Sequence, residues 1–314
     1  MSLSAATNTA LNQDPSMAVG YGPRVHVWGI DPSQLPAESA TAAQLSPFLE
    51  SIFSEAIPFI EDVPAESDSA ETSSASSWQP KKTYHFDSSK APVYLFERKL
   101  NAEGLRATAK EHKDILPQVE PHRVSDETWF LRRSTHRDAA ERKTASYAEF
   151  REHFKEHHAE SELAFTDIVV KTTPRREWDC AGVELTIGNE TWVDWTLKLE
   201  ESVHKLPFPL KKRVFPVLQA TAAVKGDKRE FMLVQIAFAG GPAEENERGT
   251  VTAAYTSVER VREVGDGGEV EWVMGTASDA KGILPEFVQV LAVPDAVAKD
   301  VNIFMAWIAD QRKK

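Results

Sequence analysis

The run GILPEFVQVLAVPDAVAKDVNIFMAWIADQ, at 282–311, limits the folds open to this chain more than any other feature. From Val297 its apolar residues fall at Val301, Phe304 and Ile308, spacings of four, three and four that form one face of a helix. The pattern predicts a helix over 283–311, interrupted only at Pro294. Five strand-like runs precede it, at 195–206, 213–224, 229–238, 250–264 and 269–276. Turns such as Lys225-Gly226-Asp227-Lys228 and Gly265-Asp266-Gly267-Gly268 join them, short enough for a consecutive antiparallel meander. A curved antiparallel sheet followed by one long amphipathic helix can enclose an apolar cavity. The expectation is a chain that holds a greasy ligand.

The alternation within the strands nominates the cavity wall. At 195–206, Trp195, Leu197, Leu199, Glu201 and Val203 face one way, and Thr196, Lys198, Glu200, Ser202 and His204 face the other. Near the C-terminal end of the sheet, Val270, Trp272 and Met274 oppose Glu269 and Glu271, so the sheet reads with one greasy and one wet face. Glu201 shares the greasy parity with Trp195, and Arg133 shares it with Trp129 and Leu131. A charge there must be paired or meet a ligand, unless the strand ends and it points to water. Gln235 sits on a strand apolar on both faces. The candidates for the cavity are therefore Arg133, Trp195, Glu201, Gln235, Tyr255, Trp272 and Met274, with Phe287, Leu291 and Phe304 from the helix. Tyr255, Trp272 and Met274 read equally well as ordinary core.

The first 80 residues read as an extension. Residues 1–20 are small and polar, and Val25, Val27 and Ile30 suggest a short strand. Ser46-Pro47 reads as the N-cap and first turn of a short amphipathic helix carrying Leu49, Ile52, Phe53, Ala56 and Ile60. An acidic, serine-rich stretch at about 61–80 follows, with Ser67, Ser69, Ser73 and Ser74 in or beside it. It is too poor in large apolar residues to order itself and reads as a linker. The remaining 81–314 form the expected domain, with strands at 92–98 and 129–134, a helix at 146–163, and a charged surface insertion at 101–126.

Other chemistries find little support. The net charge of -12 repels a nucleic-acid backbone. No run of eighteen apolar residues suggests a membrane span, and one cysteine, Cys180, fits a reducing cytosol. His153 and His157 stand four apart on the predicted helix, but the order H-F-K-E-H-H lacks the second residue of the zincin motif, so no metal is expected. No nucleophile elbow, Walker motif or GxGxxG is present. No cofactor and no catalytic residue is nominated.

The segments HKLPFPLKKRVFPVL, AYTSVERVREVGDGGEVEWVMGTASDAKGILPEFVQ and AVAKDVNIFMAWI resemble the START-like (helix-grip) superfamily. In particular they resemble a fungal branch catalogued as domain of unknown function 3074, as do WFLRRSTH and ASYAEFREHF. The resemblance covers roughly residues 83–314 and is most specific from 204 onward. It implies an α+β fold in which a curved antiparallel sheet grips a long C-terminal helix around a lipid-sized cavity. The function expected is non-catalytic binding or transfer of a lipid, sterol-like or other apolar small molecule in the cytoplasm, with transient membrane contact. Similar folds also support polyketide cyclases and aromatases, and fold alone does not choose between the two.

Overall fold

The structure is a computed structural model that describes residues 22–64, 76–206, 208–241, 250–279 and 286–314, with side chains in the last stretch from 294. Helix α1 spans Ala42–Glu61. Strands β1 (Gln79–Tyr84) and β2 (Val93–Leu100), helix α2 (Ala102–Glu111) and strand β3 (Glu127–Arg137) follow. Next come α3 (Tyr147–Phe150), a π-turn (Arg151–Glu156) and α4 (His158–Phe165). The remaining strands are β4 (Val169–Trp178), β5 (Leu185–Ile187), β6 (Glu190–His204), β7 (Lys212–Val224) and β8 (Glu230–Ala237). They are completed by β9 (Thr250–Thr252), β10 (Ala254–Val264) and β11 (Glu269–Asp279), and α5 (Glu286–Gln311) closes the order.

The strands form one sheet in the order β1-β2-β3-β11-β10-β8-β7-β6-β4, with β5 beside β6 and β9 beside β7. All pairings are antiparallel except β7 with β9. The meander expected over 195–276 is therefore present, with β3 and β2 extending it past β11. Strand β1 was not legible: QPKKTY is polar, carries Pro80 and lies on the sheet edge, where such residues belong. The short strand expected at 25–30 is reduced to one bridge between Ile30 and Phe238.

The sheet is covered on both faces. On one face α1 lays Leu45, Phe48, Leu49, Ile52, Phe53, Ala56, Phe59 and Ile60 over Trp129, Leu131, Trp192, Trp195, Leu197 and Leu199 in one core cluster. The helix begins at Thr41, whose capping box with Gln44 precedes the expected Ser46 start; Ser46 Oγ instead donates to Ala42 O at 2.8 Å. The segment before α1 is tied down by two carboxylates. Glu55 accepts from the backbone of Arg24 and Val25, and Glu127 accepts from Val27 N and Trp129 Nε1. The 101–126 region carries α2, and its Ala109, Leu116 and Val119 cluster with Trp28 of that same segment.

On the other face α3, the π-turn and α5 bring Phe150, Phe154, Val301, Phe304 and Ile308 against Trp272, Val261 and Val270. The helix α5 continues through Pro294 and lies against β2 and β3. A curved antiparallel sheet holding its C-terminal helix is the helix-grip arrangement, and the fold class is α+β. The side chains of Phe287 and Leu291, and the serines at 67, 69, 73 and 74, lie outside the described residues.

Candidate ligand cavity

A cavity of about 250 Å³ opens between the α4/α5 layer and the sheet. The strands supply its floor. Arg132 of β3, Gln235 of β8, Tyr255, Ser257 and Glu259 of β10, and Met274, Thr276 and Ser278 of β11 all point into it. These residues belong to the parity opposite the Trp-rich face, because successive side chains on a strand alternate. Helix α4 contributes His158 and Glu162, and α5 contributes Val297 and Asp300. Phe165, Ile168, Val169 and Phe215 add apolar wall.

A single helix over 146–163 would hold one face throughout, but the extra residue per turn and the break at His157 (φ -127°, ψ 44°) reset it. Phe150 enters the core, Phe154 lies between core and cavity, and His158 and Glu162, four apart on α4, reach the cavity. The same break separates the His153 and His157 pair. His153 packs on Trp307 at 4.8 Å and meets Ser161 Oγ at 3.0 Å, whereas His157 is exposed.

Arg132 is the centre of the site. Its guanidinium lies 3.7 Å over the Trp272 ring, and Nη2 is 3.3 Å from Glu259 Oε1. The indole of Trp272 donates to the same oxygen at 2.6 Å. Arg132 is 1% exposed, and its Nε and Nη1 have no hydrogen-bond partner among the described residues. Beside it, Ser257 Oγ donates to Gln235 Oε1 at 3.1 Å, and Gln235 Nε2 donates to Gln219 Oε1 at 3.2 Å.

The electrostatics are those of crowded carboxyl groups, Glu259 buried and Glu162 and Asp300 half-buried. Burial pushes the Glu162 carboxyl up to about 8, and the nearby Asp300, Glu259 and Glu200 push the same way. Burial raises Asp300 to about 6 against the pull of Arg132, and raises Glu259 against Arg132 and Trp272. His158 and His204 fall to about 4, so both are neutral bases at physiological pH.

A pH dependence follows. A carboxyl raised on folding keeps a proton that the unfolded chain has released, so its stabilisation is present at low pH and lost as pH rises. Asp300 completes that loss near 6 and Glu162 near 8. The melting temperature of the ligand-free chain is expected to fall between about pH 4 and 8, with Glu162 alone responsible above about 6, and Glu162→Gln is expected to flatten that upper part. Parallel curves for the two proteins would mean that Glu162 is ionised and solvated.

Of the residues nominated from sequence, Gln235, Tyr255 and Met274 line the cavity. Trp272 and Phe304 stand directly behind it, in contact with Phe154 and the Arg132–Glu259 pair. Arg133, Trp195 and Glu201 lie on the opposite face. Trp195 packs on Phe53 of α1 at 4.5 Å, Arg133 pairs with Glu271 and donates to Pro64 O, and Glu201 pairs with Arg175 at 3.2 Å. The face they share is the one that α1 occupies. Arg132, His158, Glu162, His204, Ser257, Glu259 and Asp300 were missed, since a polar strand face reads as solvent-exposed. The available signal was β8, EFMLVQIA, buried at every position, as expected of a strand between two layers.

Comparison with solved structures finds human STARD10 at 12% identity, covering 80% of this chain and 82% of that one, with a TM-score of 0.48. The human StAR-related lipid transfer protein 5 is matched at 11% identity over 86% of this chain and 95% of that one, with a TM-score of 0.49. A STAR-related lipid transfer protein fragment from Xanthomonas axonopodis is matched at 10% identity over 76% and 99%, with a TM-score of 0.40. No curated protein matches the sequence. Among the described residues no helix is long and apolar enough to cross a membrane. The family model described as a protein of unknown function (DUF3074) matches residues 129–308, a span that includes the sheet floor, α4 and most of α5, and the chain belongs to that family.

Proposed function

We propose that the chain binds, and carries without chemical change, an amphipathic small molecule of the lipid class in the cavity beneath α5. The observation that carries this reading is Arg132: a buried guanidinium with two unsatisfied nitrogens, on a side chain that lines the cavity. Such donors left unpaired are destabilising, so an acceptor on a bound molecule would stabilise the site. The polar floor suits a head group, and Phe165, Val169, Phe215 and Val297 suit an apolar body. The ligand is thus less greasy than the strand alternation alone suggests. The test is uptake from vesicles made of a natural lipid mixture, followed by re-isolation and extraction of the protein. A saturable load of a single molecule per chain is expected; recovery of protein without lipid overturns the reading.

A second reading has its own support. Glu162, protonated near neutrality, and the neutral imidazole of His158 are an acid and a base facing one cavity. This is what an enzyme of the polyketide cyclase or aromatase kind requires. Under that reading Glu162→Gln would retain the ligand and stop its conversion. Under the carrier reading the ligand is recovered unchanged from both proteins.

A further inference from the structure

The charges of the cavity do not balance. Its floor carries one matched pair, Arg132 with Glu259. Its roof carries two further carboxyls, Glu162 on α4 and Asp300 on α5, helices that touch each other. Neither side chain makes a hydrogen bond or an ion pair among the described residues. Every group acting on Glu162 opposes its ionisation, and Arg132 alone draws on Asp300. The other titratable groups of the wall offer no counter-charge: His158 and His204 are neutral at physiological pH, and Tyr255, with carboxyls around it, holds its proton.

That imbalance selects among head groups. A neutral ligand that displaces water from the roof leaves both carboxyls without a partner, and an anionic one adds repulsion. An ammonium group satisfies both through charge-assisted hydrogen bonds. Arg132 sets a second requirement, because its buried Nε and Nη1 need an acceptor oxygen. That oxygen need carry no charge. Glu259 already matches the guanidinium, and an anionic group placed there would face Glu259 and Asp300 together. Asp300 acts electrostatically on both members of the Arg132–Glu259 pair, so roof and floor are close enough for one compact head group to reach both.

We propose that the head group of the ligand is a compact amine of the amino alcohol class, its protonated nitrogen held by Glu162 and Asp300 and a neighbouring neutral oxygen accepting from Arg132. The proposal rests on the reading that the cavity holds an amphipathic molecule, whether or not the molecule is converted there. It is tested by isothermal titration calorimetry of the full chain with probes of one chain length: 2-amino-1-dodecanol, 1,2-dodecanediol, 2-hydroxydodecanoic acid and dodecylphosphocholine, each below its micelle concentration. The amino alcohol should bind at least about tenfold tighter than the diol, the difference made by one hydrogen bond to a charged group, and tighter than the other two probes. In the double variant Glu162→Gln/Asp300→Asn that preference should vanish while the diol binds as before. The melting temperature should not fall, since two repelling carboxyls are gone. Glu103→Gln/Asp114→Asn, altered at exposed positions, should keep the preference and controls for net charge. A diol that binds as tightly as the amino alcohol overturns the proposal and leaves the carrier reading standing. So does tighter binding of dodecylphosphocholine, which would assign a zwitterion. A preference that survives in the double variant also overturns it. If no probe binds, the proposal falls, and the lipid load recovered from vesicles decides separately whether the cavity carries a molecule.

Discussion

Replacing Phe304 by alanine will lower stability by about 3–5 kcal/mol, and the melting temperature by on the order of ten degrees. Phe304 is fully buried at the point where α5 meets the sheet. Its ring lies 4.8 Å from Phe154, 5.5 Å from Phe150, 5.6 Å from Trp272 and 5.8 Å from Phe165. Four rings from four elements cannot collapse into the space together, so the void persists and the transfer loss is compounded by lost contacts. Phe154 and Phe165 also line the cavity, so the variant should hold its ligand less well. Differential scanning calorimetry measures the first effect. An unchanged melting temperature would place the ring in solvent and remove α5 from the grip.

Arg132→Met will show a pH-dependent loss of stability that a second substitution partly restores. Removing one partner of a buried pair costs roughly 3–5 kcal/mol when the other stays charged. Glu259, whose carboxyl burial already raises, can take a proton instead. The sign follows: once Arg132 no longer pulls it down, Glu259 titrates at still higher pH, so the variant's deficit is small in acid and grows as pH rises. The double variant Arg132→Met/Glu259→Gln carries no buried charge in the pair, and its amide oxygen can still accept from Trp272 Nε1, which reaches that carboxylate at 2.6 Å. It should melt above the single variant at neutral pH. Equal melting of the two would mean that Arg132 and Glu259 are not coupled.

The strands β6, β7, β8, β10 and β11 and the long C-terminal helix were legible because alternation, glycine turns and helical spacing agree there, whereas β9 was read as one run with β10 and instead pairs in parallel with β7. The face of the sheet that forms the cavity was not. Trp195, Leu197 and Leu199 form the more apolar row, and apolar rows go inside, but α1 provides an inside of its own. Nothing in the α1 sequence distinguishes a helix that covers a sheet from one that docks loosely. The row of Arg132, Ser257, Glu259 and Thr276 reads as a wetted surface, since alternation reports polarity and not what lies above it. The helix break at His157 was equally silent: ASYAEFREHFKEHHAESELAF has no glycine or proline to announce a π-turn. Four-apart spacing puts His158 and Glu162 on one helix face, but nothing in the sequence says that this face meets a cavity.

Native mass spectrometry of the full chain purified from its own cells tests the central claim most directly. The wild-type chain should fly with a discrete added mass, of the size of one amphipathic molecule, that is released on collisional heating. Folded Arg132→Met should lose that mass, while Glu201→Gln, altered on the α1 face, should keep it. A wild-type chain at its bare polypeptide mass would contradict the account, and so would a ligand that survives Arg132→Met but is lost from Glu201→Gln.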